Sequence, residues 1–229
     1  MLTSEAVASY VTSIRAVRAI AARTVAAIWR ELPEDPVEAR EALIPAVVTV
    51  IGAFGDIVAV SAAGFYDQVR DRPGFEPVLA PPAPASQIGA SIRWAVGPLF
   101  STEPDRPAGL SRVESVVERI TVNQGHETVY LSGSADPGKP KFARVPVGDT
   151  CAWCRLMASR GAVFRTEATA KFRRSHAKCD CKVVPVFDGD ELPYDRQALL
   201  DEYQAARREA DKKSVKQITA VMRAGTETG

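Results

Sequence analysis

The sequence lacks an excess of charge of either sign, since 29 lysines and arginines stand against 28 acidic residues and the net charge is +1 in 229 residues. Overall charge therefore does not direct this chain to nucleic acid, and any attraction to DNA has to come from a local basic patch. The chain also has no phosphate-binding glycine loop, no G-x-S-x-G and no H-E-x-x-H motif, so the common signatures of nucleotide-binding, hydrolase and zinc-protease sites are missing.

We also expect no signal peptide. The N-terminus reads MLTSEAVASY and has neither the basic start nor the apolar core of a secretory signal. The composition, with 46% apolar and 25% charged residues, is typical of a soluble globular protein. We therefore expect a reducing cytoplasm, in which cysteines bind metals or do redox chemistry more often than they form disulfides.

Helical periodicity dominates what is present. Apolar residues recur at spacings of three and four over residues 4–31, and a second helix is predicted at about 36–72, with Asp35 as its N-cap and Pro36 in its first turn. A short helix is predicted at about 86–98. Another is expected to begin at Ser111, in a capping box with Glu114, and helix returns from about 195.

The second helix is almost free of charge, because Asp56 is the only ionisable residue between Ala42 and Tyr66. That length could span a bilayer. Asp56 near the middle, Pro45 and the many small residues favour a helix buried all round, in a helical core or in an oligomer interface, and we expect no stable membrane span. The role of the apolar segment 42–66 stays open.

Two short β-branched segments containing proline, 142–147 and 182–187, are typical of edge strands in a small sheet. The fold class is therefore predicted as α+β, mostly α. We divide the chain into a helical arm at 1–72, a proline-rich linker and short helix at 73–109, a small cysteine module at 110–190 and a helical tail at 191–229.

The cysteines are grouped in a way that indicates a metal. Cys151 and Cys154 form a C-x-x-C pair, and Cys179 and Cys181 form a C-x-C pair that follows His176. These five candidate ligands exceed the four that a structural zinc normally takes. The alternatives are redox-active or unmetallated cysteines, which would leave the second pair unexplained, a catalytic metal, and two disulfides.

The segment between the two cysteine pairs is basic, and it allows three interpretations: contact with DNA phosphates, contact with an acidic protein partner, or a solvated loop. The candidate residues of this patch are Arg165, Lys171, Arg173, Arg174, Lys178 and Lys182. The second histidine, His126, has no ligand or nucleophile near it in the sequence. We predict that it is a surface or capping residue.

The stretch ARVPVGDTCAWCRLMASRGAVF, followed by HAKCDCKVVPVF, resembles the C-terminal domain of MuF-like minor head proteins of tailed bacteriophages. That domain carries a C-x-x-C before a short helix and a glycine, then H-x-x-C-x-C and a proline-containing strand. NQGHETVYLSGSADPG is similar to the helix and turn that precede this domain in actinobacterial phages. The similarity covers about residues 110–190, roughly a third of the chain.

The resemblance implies a structural protein of the phage head, located near the portal vertex in the virion and in the host cytoplasm during assembly. It implies a role in head morphogenesis and in DNA packaging or ejection, with portal protein and major capsid protein as partners, and packaged DNA or sister copies as further candidates. The metal ligands carried over are Cys151, Cys154, His176, Cys179 and Cys181, for a structural zinc. No enzymatic activity is expected. The alternatives are a zinc-dependent nucleic-acid-binding module and a membrane-active ejection protein.

Overall fold

The computed structural model describes residues 1–148, 150–164, 181–211 and 214–227. Within these ranges the chain is mostly α-helical with one two-stranded sheet, which confirms the predicted fold class. The elements are α1 (Ser4–Arg30), α2 (Pro36–Arg70), α3 (Ala85–Ala95), a 3-10 turn (Gly97–Phe100), α4 (Arg106–Ala135), β1 (Lys141–Val145), α5 (Ala152–Ser159), β2 (Lys182–Val186), α6 (Arg196–Glu209) and α7 (Val215–Glu227).

The helices begin where side chains can accept hydrogen bonds from the free amides of the first turn. Asp35 accepts from the amides of Val37 and Glu38, each at 2.9 Å, as predicted for the start of α2. The predicted start of α4 at Ser111 is wrong. Asp105 accepts from the amide of Ala108 at 2.8 Å, so the helix begins five residues earlier than predicted.

Three long helices form the framework of the molecule. α2 packs along α4, and α1 packs against both of them. One core fills the space between the second half of α1, the first half of α2, the first half of α4 and α3. The other core joins the opposite ends of the same helices to β1, β2 and α5. The cysteine-containing elements therefore share a hydrophobic core with the helical arm.

The prediction that α2 is buried all round is wrong for this chain on its own. Its inner face is buried at Leu43, Val47 and Val58, but Ile57 is 48% exposed and Val60 is 60% exposed. α2 is also the one helix of the described chain that is long and apolar enough to cross a membrane, although 39% of its most apolar window is buried in the fold. An uncharged strip of α2, interrupted at Asp56, thus faces outward.

The proline-rich segment 71–84 is fastened along α4 by hydrogen bonds. The amide of Ala80 donates to the Thr128 hydroxyl at 3.0 Å, and the amide of Val78 donates to the Ser132 hydroxyl at 3.0 Å. The Gln124 amide group donates to the carbonyl of Ala80 at 3.4 Å. Because the three polar residues are four apart, they lie on one face of α4 and form a row of partners for an extended chain.

The two strands pair in antiparallel register, with Arg144 opposite Val183 and Phe142 opposite Pro185. The other edge of β1 is covered by Phe164, which exchanges two backbone hydrogen bonds with Phe142. Pro185 lacks an amide hydrogen, which a strand at the edge of a sheet tolerates. The predicted strands are confirmed with bounds shifted by one or two residues.

Candidate metal centre

The first cysteine pair lies at the start of α5. Cys151 occupies the N-cap position with extended backbone angles, and Cys154 lies one turn into the helix with no exposed surface. A tight turn precedes the pair, because the Thr150 hydroxyl accepts from the amide of Val147 at 2.8 Å and donates to the carbonyl of the same residue at 3.0 Å. This turn brings the chain from β1 back to the start of α5.

The third described cysteine comes from the other end of the module. Cys181 directly precedes β2 and is 1% exposed, and its sulfur lies 2.9 Å from the sulfur of Cys154. Cys151 and Trp153 pack against this pair. The sulfur separation exceeds a disulfide bond of about 2.05 Å and is shorter than the roughly 3.8 Å expected between two thiolates on a tetrahedral zinc. No disulfide joins any two of the described cysteines.

The donor chemistry of this cluster fits zinc. Thiolates are the preferred ligands of structural zinc, and here they come from two segments that a metal would tie together. Two of the predicted ligands, His176 and Cys179, lie outside the described residues. Among the residues that the structure does describe, no three histidine, cysteine or acidic side chains already stand at metal-ligand spacing.

One buried cation contacts a cysteine, and a second buried cation follows that cysteine in the sequence. Arg144, in the middle of β1, is 1% exposed, and its Nη1 donates a hydrogen bond of 3.0 Å to the sulfur of Cys181. Lys182 follows Cys181 and has no exposed surface. Burying a charged side chain is costly unless it is hydrogen-bonded or paired, and the sulfur of Cys181 is one partner that Arg144 has here.

Sequence reasoning missed Arg144. The signal that could have identified it lies in the strand sequence FARVPV. Arg144 is a charged residue in an otherwise apolar strand, and the alternation of buried and exposed positions does not explain an arginine there. Its guanidinium carbon also lies 4.8 Å from the centroid of the Trp153 ring. Trp153 therefore supports the arginine that contacts a cysteine.

The predicted basic patch is only partly represented in the described residues. Lys182 is fully buried in β2, and so it is not part of an exposed cationic surface. The other five predicted members, which all precede Cys179, lie outside the described residues: Arg165, Lys171, Arg173, Arg174 and Lys178.

The prediction for His126 is wrong. It was expected at the surface or at a helix end, but it lies within α4 and is 1% exposed. The reason is the position of α4, which is enclosed by α1, α2, α3 and β2. Buried polar residues on this helix, among them Thr121, Gln124 and Thr128, make its sequence look more exposed than it is.

Comparisons with known proteins point to phages. The chain is similar to the Gene 15 protein of Mycobacterium phage D29, with 28% identity over 127 residues, which is 40% of this chain and 46% of that protein. It is also similar to the Gene 15 protein of Mycobacterium phage L5, with 33% identity over 90 residues, which is 23% of this chain and 31% of that protein.

The chain thus spans less than half the length of the curated relatives that it matches. No solved structure matches it. The model of the family described as VG15 protein matches residues 1–206, which is most of the chain. The chain therefore belongs to the VG15 protein family, and it is a phage-related protein.

Proposed function

We propose that this chain is a structural minor head protein of a tailed phage, of the MuF-like type, which acts in head morphogenesis near the portal. The observation that carries the proposal is the meeting of Cys154 with Cys181 at a sulfur separation of 2.9 Å, with Cys151 packed beside them. These are the cysteines on which the resemblance to MuF-like head proteins rests. Membership of a family with mycobacteriophage relatives supports the same assignment.

The cysteine cluster is proposed to hold a structural zinc. Cys151, Cys154 and Cys181, together with one or both of His176 and Cys179, would supply the ligands. The metal would tie the start of α5 to the start of β2 across the intervening residues, and that link would add to the stability of a small module. Its role is architectural, and the protein acts without enzymatic turnover.

The outer face of α2 is proposed as the surface that docks on portal or capsid protein. Large apolar side chains exposed on one helix face are more stable when a partner covers them. Ile57 and Val60 are about half exposed and lie one turn apart on this face. Sister copies and packaged DNA are the other candidate partners, and the protein would be in the host cell during assembly and then in the virion.

The test is a pull-down of the tagged full-length chain from cells that produce phage, with mass spectrometry of the partners and zinc analysis on the same sample. We expect portal or capsid protein and about one zinc per chain. Val60→Asp should abolish recovery of the head proteins while leaving the helical content unchanged. Asp67→Asn, on an exposed position of the same helix, is the matched control and should retain them.

The zinc is tested separately by Cys151→Ser and Cys181→Ser, which should each lower the zinc content and unfold the cysteine module. A Cys151→Ser variant that stays folded and still enters heads would contradict the zinc proposal. If purified heads contain none of the protein while the isolated chain still binds zinc, the head assignment would be contradicted and the metal site would be supported.

The exposed face of α2 also supports a second candidate function, that of a membrane-active ejection protein, because the helix is long and apolar enough to cross a membrane. In that case the full-length chain should bind to and permeabilise anionic lipid vesicles. Val60→Lys should abolish the effect, since a lysine within the apolar part of a membrane helix is costly. Absence of vesicle binding by the folded wild-type chain would exclude this candidate.

A further inference from the structure

We propose that Arg144 is a positioning residue of the metal site, which holds Cys181 in its ligating orientation and supplies the positive charge that balances the metal-bound thiolates. The inference rests on the zinc part of the proposed function. The inference goes beyond the proposed zinc site because it assigns a role to Arg144, a residue outside the cysteine motifs.

The sheet register places Arg144 beside Cys181. Side chains two residues apart on a strand project from the same face, so Cys181 lies on the same side of the sheet as Val183. Val183 is paired directly with Arg144. Arg144 and Cys181 are therefore diagonal neighbours across the two strands, a separation that a long side chain spans. The observed bond from Nη1 to the sulfur is 3.0 Å.

Trp153 keeps the guanidinium in place. The arginine carbon Cζ lies 4.8 Å from the centroid of the indole ring, within the range of a cation–π contact. Trp153 stands between the two cysteines of the C-x-x-C pair, so the ring is fixed by the same turn that positions Cys151 and Cys154. The guanidinium of Arg144 is thus held between Trp153, which lies within the C-x-x-C motif, and Cys181, which belongs to the second cysteine pair.

Charge explains why a cation is needed here. A zinc ion with four thiolates carries a net charge of about −2, and one with three thiolates and a histidine about −1. Burying that charge costs free energy unless positive groups lie close by. Arg144 is 1% exposed, and its hydrogen bond reaches the sulfur of Cys181 itself.

A nearby arginine shows that this arrangement is specific. Arg155 follows Cys154 directly, but it turns away from the sulfurs. Its Nε donates to the carboxylate of Glu202 at 3.0 Å, and its other nitrogens donate to the carbonyls of Thr150 and Met222. Arg155 therefore joins α5 to α6 and α7, whereas Arg144 serves the cysteine cluster. The two arginines form a matched pair for an experiment.

The experiment measures zinc affinity of the full-length chain by competition with a chromophoric chelator, and the absorption of the cobalt-substituted protein. Changes around metal ligands typically cost 10- to 100-fold in affinity. We expect Arg144→Met to weaken zinc binding by about that factor, and to shift the thiolate-to-cobalt charge-transfer band. Arg144→Lys should fall between wild type and Arg144→Met. Arg155→Met should lower the melting temperature and leave both metal readouts unchanged.

If Arg144→Met does not fold, Trp153→Leu provides the second variant, since it removes the ring that supports the guanidinium and keeps all cysteines. It should weaken zinc binding in the same direction by a smaller factor. Equal zinc affinity and an unshifted cobalt spectrum in the folded Arg144 variants would overturn the inference while leaving the zinc site intact. A wild-type chain that binds no zinc would overturn both this inference and the zinc part of the proposed function.

Discussion

The hydroxyl of Tyr66 donates a hydrogen bond of 2.9 Å to the carboxylate of Asp136, and this bond joins the end of α2 to the end of α4. Arg70 donates to the same carboxylate at 2.6 Å, and the amide of Gly138 donates at 2.7 Å. Burial by itself would raise the pKa of Asp136, but the hydrogen bonds from Arg70, Gly138 and Tyr66 outweigh it and hold the pKa below its usual range.

Replacing the carboxylate should destabilise the fold and change its response to acid. Asp136→Asn should cost about 3 kcal/mol in the free energy of unfolding at pH 7, because it leaves the partly buried Arg70 without its charge partner. The folded pKa of Asp136 lies below the unfolded value of about 3.9. Its stabilising contribution is therefore complete above that value and is lost as the pH falls through the folded pKa.

Urea unfolding of the wild-type chain and of Asp136→Asn, at pH 7 and at about pH 3, tests this expectation. The difference between wild type and Asp136→Asn should shrink at the lower pH. Tyr66→Phe, which removes one donor and no charge, should cost about 1 kcal/mol. It should leave the pH dependence nearly unchanged, and a difference between wild type and Asp136→Asn that stays constant with pH would contradict the assignment.

Close contact between α2 and α4 depends on Gly125. A Cβ atom there would lie 2.7 Å from a methyl group of Val58 and 3.0 Å from the hydroxyl of Tyr10. Gly125→Ala should therefore lower stability by about 1–3 kcal/mol. Gly64→Ala on the exposed side of α2 meets nothing within 4 Å and should raise stability by about 0.5–1 kcal/mol through helix propensity. Thermal unfolding of the two variants should give shifts of opposite sign.

Burial of His126 leads to an expectation opposite to that for a surface residue. His126→Ala should lower the free energy of unfolding by about 2 kcal/mol or more, because it leaves a cavity inside the helical framework. Chemical denaturation measures the effect. A loss below about 0.5 kcal/mol, typical of surface substitutions, would place the histidine outside the core.

The row of polar residues on α4 should contribute measurably to stability. Thr128→Val removes the acceptor for the Ala80 amide, and Ser132→Ala removes the acceptor for the Val78 amide. Each should cost about 1–3 kcal/mol, since a backbone amide loses its partner. Ser115→Ala is the control on the same helix, because its hydroxyl donates only to the carbonyl of Ser111. An equal effect of all three would mean that the segment is not held by these bonds.

Most of the secondary structure could be predicted from the sequence, because local signals decide it. The N-cap at Asp35 and the strands on either side of the cysteine pairs are examples. The start of α4 could not be predicted, since the capping-box pattern at Ser111 and Glu114 pointed to a later residue than Asp105, which caps the helix in the structure. Burial was harder, because His126 and Arg144 lie inside through contacts between elements far apart in the chain.

The candidate site was predictable in part for the same reason. The spacing of Cys151 and Cys154 marks them as a pair, and Cys181 joins them as expected. Arg144 contributes through a register between strands that the sequence does not display. The exposure of the outer face of α2 could not be predicted either. An uncharged helix has the same sequence pattern whether its own chain or another molecule covers it.

The bonds between the proline-rich segment and α4 bear on how the chain meets proteases. Cleavage requires a stretch of backbone that can leave its surroundings and enter an enzyme's cleft, and such stretches are those with few hydrogen bonds. The amides of Val78 and Ala80 are engaged, and the neighbouring prolines have no amide hydrogen to offer. Limited digestion should therefore leave residues 78–84 uncut, so that this stretch stays attached to the helix that follows it.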